Sequence, residues 1–285
     1  MRRGIDKGGS SRAYLVVQLS FSFFVMILLN PVRTLDFAVS TPSILFGLLG
    51  GLILGFFMWS LGKTLENGPP GLSLAIVNAS SIMPALVLLT LFGSAYGHGY
   101  TLWNGLGSVL VAIGILWAGW TTGKNANKNK WLIFSIVVFA SHVIYLVYLQ
   151  WWAMALDASL PLSKLLPFHL EPLHLAWFMP AIFFSAALYQ WVVYIKQESR
   201  LPNKGEMTYG LLGGVANGAC AFFLIMAPQV ATAWQNAMLF PLFSVTIIIA
   251  CNTWAQFLYK ERVNWLANGL CTAGLLIGTI VWNGL

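Results

Sequence analysis

Apolar residues run along this chain in nine long blocks separated by short polar breaks. The blocks fall at roughly 13–29, 43–62, 72–93, 101–119, 131–152, 174–195, 207–227, 231–258 and 264–283. A helix rises 1.5 Å per residue, so each block is long enough to cross about 30 Å of hydrocarbon. Apolarity within a block is continuous, and glycines recur at helical spacing. The strands of a membrane barrel would alternate instead. The pattern predicts an all-α integral membrane protein with about nine transmembrane helices. The basic start runs straight into the first block with no small-residue cleavage site, so that block reads as a retained helix rather than a signal peptide.

Composition strengthens this reading. The chain is 58% hydrophobic and 8% charged, against about 25% charged in a soluble protein. The net charge of +7 suggests an acidic partner until its placement is examined. With the N-terminus in the cytoplasm, Arg2, Arg3, Lys7, Arg12, Lys63, Lys124, Lys128, Lys130, Lys196, Arg200, Lys204, Lys260 and Arg262 all face inward, and only Arg33 and Lys164 face out. Cytoplasmic enrichment of Lys and Arg orients membrane proteins. The charge is therefore a topology signal, not a nucleic-acid patch. It predicts a multi-pass protein of the bacterial inner membrane, N-terminus inside and C-terminus outside. Cys220, Cys251 and Cys271 all fall inside spans and show neither a disulfide framework nor metal spacing.

The chain also repeats itself. "NGLGSVLVAIG" begins at Asn104 and "NGLCTAGLLIG" at Asn268, 164 positions later; "GLLGG" occurs at Gly47 and again at Gly210, 163 positions later. Each "GLLGG" opens a row of glycines four apart: Gly47, Gly51 and Gly55 in the second span, and Gly210, Gly214 and Gly218 in the seventh. Residues four apart share a helix face, so each row is a flat stripe suited to close packing. "IVNAS" and "WQNAM" set Asn78 against Asn236, each followed by a proline, Pro84 and Pro241. Five crossings separate the paired spans, so the copies run in opposite directions. The expected organisation is a first inverted repeat at 1–120 with four spans, a cytoplasmic linker at 121–130, and a second repeat at 131–285 with five. Inverted repeats recur in secondary transporters, with the substrate site near the midplane where the repeats meet.

The closing stretch "LYKERVNWLANGLCTAGLLIGTIVW" resembles the drug/metabolite transporter superfamily, whose units often end in a Glu–Arg loop before a glycine-punctuated helix. Here that is Glu261–Arg262 before Asn268, Gly269, Gly274 and Gly278. The first half ends "FGSAYGHGYTLWNGLG" and lacks the Glu. Within the superfamily, "GPPGLSLAIVNASSIMPALV" and "LDASLPLSKLLPFHLEPLH" are most similar to the glucose/ribose porter and rhamnose–proton symporter branch. That resemblance implies ten helices in inverted repeat, so the chain reads as a 4+5 arrangement lacking its first helix. "MRRGIDKGGSSR" then resembles a loop between two spans, with the missing helix upstream of Tyr14.

Candidate chemistry is sparse. No Asp or Glu lies in the middle of a span, which argues against a carboxylate-driven pump, a paired-carboxylate glycosidase or a carboxylate metal site. His142, near the middle of the fifth span, is the candidate coupling group, since imidazole titrates near neutrality. Its alternative is a neutral histidine bonded to a neighbouring helix. Tyr145 lies near the same face, while Trp151 and Trp152 read as interfacial anchors. Asn78, Ser81, Asn217, Gln190, Trp234, Gln235 and Asn236 supply the amide, hydroxyl and aromatic groups that a small polar solute needs. Cross-helix hydrogen bonding is the alternative role for each. Asn252 and Gln256 read as packing or gating groups. The "HLEPLH" loop matches no metal spacing, and no P-loop is present.

The expectation is a secondary transporter, not an enzyme, moving a small polar solute by alternating access; the resemblance implies a sugar or related metabolite. A carrier of amino acids, nucleotide precursors or drugs is the first alternative. An integral membrane enzyme acting on lipid-linked sugars is the second, resting on Asp157, His169, Glu171 and His174. The partners are the bilayer, the solute and a proton or sodium ion, with no cofactor. The glycine rows suit a homodimer as well as packing within one chain.

Overall fold

The computed structural model of this chain describes residues 8–92, 102–120, 128–156, 175–230, 233–260 and 263–279, together with Met1 and Ile5. Among them every regular element is a helix. In order these are α1 (Ser11–Ile27), α2 (Thr41–Asn67), α3 (Pro70–Ala79), α4 (Met83–Phe92), α5 (Leu102–Trp120), α6 (Lys128–Leu156), α7 (Phe178–Gln197), α8 (Lys204–Val230), α9 (Ala233–Tyr259) and α10 (Trp265–Thr279).

Local chemistry explains the boundaries. Ser10 caps α1, its Oγ accepting from the Ala13 amide at 3.0 Å. Pro31 lacks an N–H, so the end of that helix widens into a π turn over Leu28–Val32. Pro70 opens α3 in the first turn, where its missing N–H costs nothing. Pro84 cannot donate to the carbonyl of Ser80. The helix tightens there into a 3-10 turn over Ser80–Ile82 and restarts at Met83. The sixth span likewise opens with a 3-10 turn at Leu175–Trp177.

Among the described residues, five helical stretches are long and apolar enough to cross a membrane: Ser11–Val32, Thr41–Asn67, Lys128–Trp152, Leu175–Gln197 and Lys204–Leu224. Shorter apolar helical stretches lie at Pro70–Ala79, Gly105–Gly114, Phe243–Leu258 and Trp265–Gly278. Large apolar side chains face outward, Phe257 at 70% and Ile136 at 63% exposure among them. In water such a surface would be an aggregation hazard; in lipid it is the solvated face. This is an all-α membrane protein.

The chain packs as two units: Met1–Glu66 with Phe168–Ala227, and Asn67–Pro167 with Pro228–Leu285. Each unit takes helices from both expected repeats, so packing cuts across the 1–120 and 131–285 division. Residues 121–127 of the expected linker lie outside the described residues.

In the first unit α1 and α7 run antiparallel. Ala13 and Val16 pack on Tyr194, Trp191 Nε1 donates to Ser20 Oγ at 3.1 Å, and the rings of Phe23 and Phe184 are 5.5 Å apart. Both glycine rows face this pair. A methyl added at Gly47 would stand 2.6 Å from Ala181 Cβ, at Gly51 2.2 Å from the Ile182 carbonyl oxygen, and at Gly55 2.9 Å from Tyr189. In the second row, Gly210 would meet Val17 Cβ at 2.6 Å, Gly214 the Gln18 carbonyl oxygen at 2.5 Å, and Gly218 Val25 Cβ at 2.8 Å. Ala181, Ile182 and Tyr189 stand 164 positions after Val17, Gln18 and Val25. The α2–α7 and α8–α1 interfaces are thus one contact pattern made twice.

In the second unit the repeated phrase meets its own copy. Methyls at Gly107 and Gly114 on α5 would strike α10 at Gly278 Cα (2.2 Å) and Cys271 Sγ (2.6 Å). Val111 and Leu275 join Ala75, Ala79, Val245 and Ile248 in one buried cluster of α3, α5, α9 and α10. On the other side of the break, α6 packs on α4 through Val147 and Trp151 against Leu88.

Candidate functional site

The interrupted helix in the second unit gathers polar side chains from three helices. At the break, backbone carbonyls accept side-chain donors: Ser80 Oγ donates to the Val77 carbonyl at 2.6 Å, and Ser81 Oγ to the Asn78 carbonyl at 2.7 Å. His142 of α6 reaches in from outside the helix. Its Nδ1 lies 2.9 Å from the Val77 carbonyl and 2.5 Å from Ser80 Oγ. A carbonyl only accepts, so the hydrogen-bond network assigns the proton to Nδ1. Ser81 Oγ lies 2.9 Å from Ser244 Oγ of α9. Those two serines are 163 positions apart, the offset of the glycine rows, so the pair joins equivalent points of the two copies. Trp131 Nε1 donates to Ser73 Oγ at 3.1 Å and seats the start of α6 on α3. The cluster offers neutral donors, acceptors and an imidazole beside a helix break. That arrangement suits binding a neutral polar group or relaying a proton.

Asn78 is buried, and its Nδ2 donates to the Leu74 carbonyl of its own helix at 2.8 Å. Tyr145 lies one turn beyond His142 on α6 and is half-buried. Trp234, Gln235 and Asn236 fall on the first turn of α9, and their side chains lie outside the described residues. The helix break has no counterpart at Pro241, where α9 continues from Ala233 to Tyr259. Gln190 and Asn217 are in the first unit. Gln190 Nε2 donates to the Gly55 carbonyl at 2.7 Å, and Asn217 Nδ2 to Ser22 Oγ at 3.2 Å. The structure therefore gathers Ser81 and His142 into one cluster, while Gln190 and Asn217 bond α2 and α1 in the first unit.

Asn252 and Gln256 tie α9 to α10: Asn252 Nδ2 donates to Asn268 Oδ1 at 2.8 Å, and Gln256 Oε1 accepts from Trp265 Nε1 at 3.0 Å. Trp152, expected as an interfacial anchor, is instead 3% exposed, and Trp151 packs inward on Leu88. Asp157, His169, Glu171 and His174 lie outside the described residues. Among the described residues no three His, Cys, Asp or Glu side chains converge to hold a metal.

A charged network closes one end of the first unit. Glu206, 1% exposed, receives Arg200 at 2.8 and 2.6 Å and the amides of Asn203 and Ser10 at 2.6 Å each. Arg12 bonds Glu198 at 3.2 Å, while Ser11 and Lys63 both reach Glu66. The start of α1, the end of α2 and the α7–α8 turn therefore share one end.

Ser80, Ser244, Gln18 and Ser22 escaped the sequence reading. Applying the 163-residue offset of the glycine rows to Ser81 leads directly to Ser244. Gln18 stood in plain view as an amide inside the first span.

No protein-family model matches this chain, and no curated protein does. A solved crystal structure is similar at a TM-score of 0.57, covering 98% of this chain and 92% of its own length at 16% identity. It is described only as the crystal structure of a protein, so the likeness speaks to fold alone.

Proposed function

We propose that this protein is a secondary carrier of the drug/metabolite type. Its helices form a 4+5 inverted repeat, and it moves a small polar solute by alternating access. The observation that carries the reading is the doubled interface. Gly47, Gly51 and Gly55 meet α7 as Gly210, Gly214 and Gly218 meet α1, and self-contact between copies recurs at Ser81–Ser244 and at Gly107–Gly278. Two copies with the same internal contacts provide two equivalent conformations, which is what alternating access requires. The break at Ser80–Ile82 supports placing solute contacts at Ser81 and His142, with Asn78 and Tyr145 beside them, because discontinuous helices mark transporter sites. His142 serves as the coupling group.

The charged end formed by Arg12, Lys63, Arg200 and their carboxylates faces the cytoplasm in this reading, as the placement of Lys and Arg along the chain supports. The solute class, a sugar or related metabolite, follows from the sequence resemblance. Thermal unfolding of the detergent-purified protein against sugars, amino acids and nucleosides tests it. A bound solute at 100 times its dissociation constant adds about 2.7 kcal/mol. A sugar that stabilises wild type but not Ser81→Ala supports the reading; stabilisation only by amino acids or nucleosides replaces the solute class.

A further inference from the structure

The offset of 163–164 positions pairs α1 with α7, α2 with α8, α3 and α4 with α9, and α5 with α10. It leaves α6 unmatched among the described helices. α6 runs parallel to α3 and α4: Trp131 meets Ser73, His142 meets Ser80, and Trp151 meets Leu88. The stripe beneath it carries Ser80, Pro84 and Leu88 on successive turns, and all three are buried, Ser80 and Leu88 at 0% exposure. Their counterparts 163 positions later are Phe243, Ile247 and Cys251 of α9. Those three are only half-buried, and Ala250, Trp254 and Phe257 on the same face are exposed, Trp254 at 61%. The helices packed on α9 meet its opposite side: Val245 and Ile248 join the cluster with α3 and α10, and Asn252 bonds Asn268. Lipid tails are as apolar as the side chains they touch, so exposure by itself demands no partner. Here, however, equivalent faces differ: α6 covers one, and no described helix of the unit covers the other.

We propose that this face of α9 packs against α9 of a second copy of the chain, forming a homodimer about a twofold axis along the membrane normal. Direction selects this occupant. A helix equivalent to α6 must run parallel to α9, as α6 runs parallel to α3 and α4. Two chains inserted in the same orientation and related by that axis present identical helices in parallel. Shape agrees, because Ala250 and Cys251 form a shallow notch between the larger Phe243, Ile247 and Trp254. Helices in lipid approach each other at such small residues. Charge agrees as well: no residue from Phe243 to Phe257 is charged, so apposing the stripe with itself brings no like charges together. A patch that meets its own copy also closes at two chains and leaves no open edge.

The interface does not depend on the carrier reading and has its own test. The full chain, with Cys220 and Cys271 replaced by serine, is oxidised in proteoliposomes with copper phenanthroline. A disulfide needs Cα atoms within about 7 Å. Cys251 itself, or Ile247→Cys, Ala250→Cys or Trp254→Cys in a Cys251→Ser background, is expected to give a covalent dimer. Ile136→Cys, on the 63%-exposed side of α6, and Ile249→Cys, off the stripe of α9, are expected to give none. No dimer at any stripe position, or equal yields at the two controls, would overturn the interface. Light scattering in detergent supplies the second measurement: wild type should have the mass of two chains and Ala250→Trp that of one. Lipid accommodates the added ring in the monomer, so this variant keeps its fold. A wild-type mass of one chain would overturn the proposal and leave lipid or a helix of another protein on the face. Ala250→Trp with the mass of two chains would also overturn it, because the dimer would then use a different face. Solute counterflow reports on the carrier reading alone, so the two failures are distinguishable.

Discussion

Adding one methyl group at Gly51 probes the doubled interface most sharply. The Cβ of Gly51→Ala would lie 2.2 Å from the Ile182 carbonyl oxygen and 2.6 Å from Ser185 Cβ, where ordinary contact begins at 3.4 Å. The nearest obstacle is backbone and cannot rotate aside, so α2 and α7 must separate by about 1 Å along that line. Overpacking of this kind costs about 1–3 kcal/mol. Replacing a helical glycine by alanine returns up to about 1 kcal/mol, leaving a net loss of up to about 2 kcal/mol. Gly214→Ala, which would strike the Gln18 carbonyl oxygen at 2.5 Å, should cost a similar amount on the opposite side of the unit. Gly269→Ala is the control: nothing lies within 4 Å of its Cβ, so only the helix gain of about 1 kcal/mol remains. Denaturant titration in detergent, followed by tryptophan emission, should place Gly51→Ala and Gly214→Ala below wild type and Gly269→Ala at or above it. Equal stability of all three variants would refute the close approach; opposite signs at Gly51 and Gly214 would refute the equivalence of the two interfaces.

Further outcomes follow from the same contacts. Pro84→Ala restores an N–H to the Ser80 carbonyl, so α3 and α4 should fuse, raising thermal stability while slowing transport in proteoliposomes. Arg200→Ala leaves the 1%-exposed Glu206 carboxylate without its guanidinium, whereas Glu206→Gln leaves a side chain that is 41% exposed and hydrated. Arg200→Ala should therefore be the more destabilising, at about 2–4 kcal/mol, as comparative melting will show. A double-mutant cycle on Ser81→Ala and Ser244→Ala should return a coupling of about 0.6 kcal/mol, a usual value for hydrogen bonds between membrane helices. His142→Gln retains a donor for the Val77 carbonyl, so its fold should persist while proton-coupled uptake in proteoliposomes is lost.

The helices were legible because length and apolarity are properties of the chain itself. Observed helical stretches such as Thr41–Asn67 and Lys128–Leu156 overlie the blocks at 43–62 and 131–152. The glycine rows were legible for a related reason: a contact that forbids side chains leaves its trace as missing ones. Polar partners left no such trace. Asn78 and Asn236 stood out as a repeated phrase, yet they are 158 positions apart while the contacts obey 163–164. The Asn78 amide spends its donor on its own helix, and the residue that bridges the copies is Ser81. Proline was an ambiguous sign as well. Pro84 interrupts its helix and Pro241 does not, because whether a lost hydrogen bond opens a helix depends on what packs around it. Glu206 is an ordinary surface residue by sequence; only the approach of Ser10 and Arg200 buries it.

Counterflow in proteoliposomes tests the central claim, that this chain carries a solute across the membrane without an energy source of its own. Vesicles preloaded with an unlabelled solute that stabilises the protein are diluted into a trace of the labelled form, with no nucleotide and no ion gradient. A carrier gives a transient accumulation of label above equilibrium, lost in Ser81→Ala. Binding of that solute with no counterflow above protein-free vesicles would contradict it.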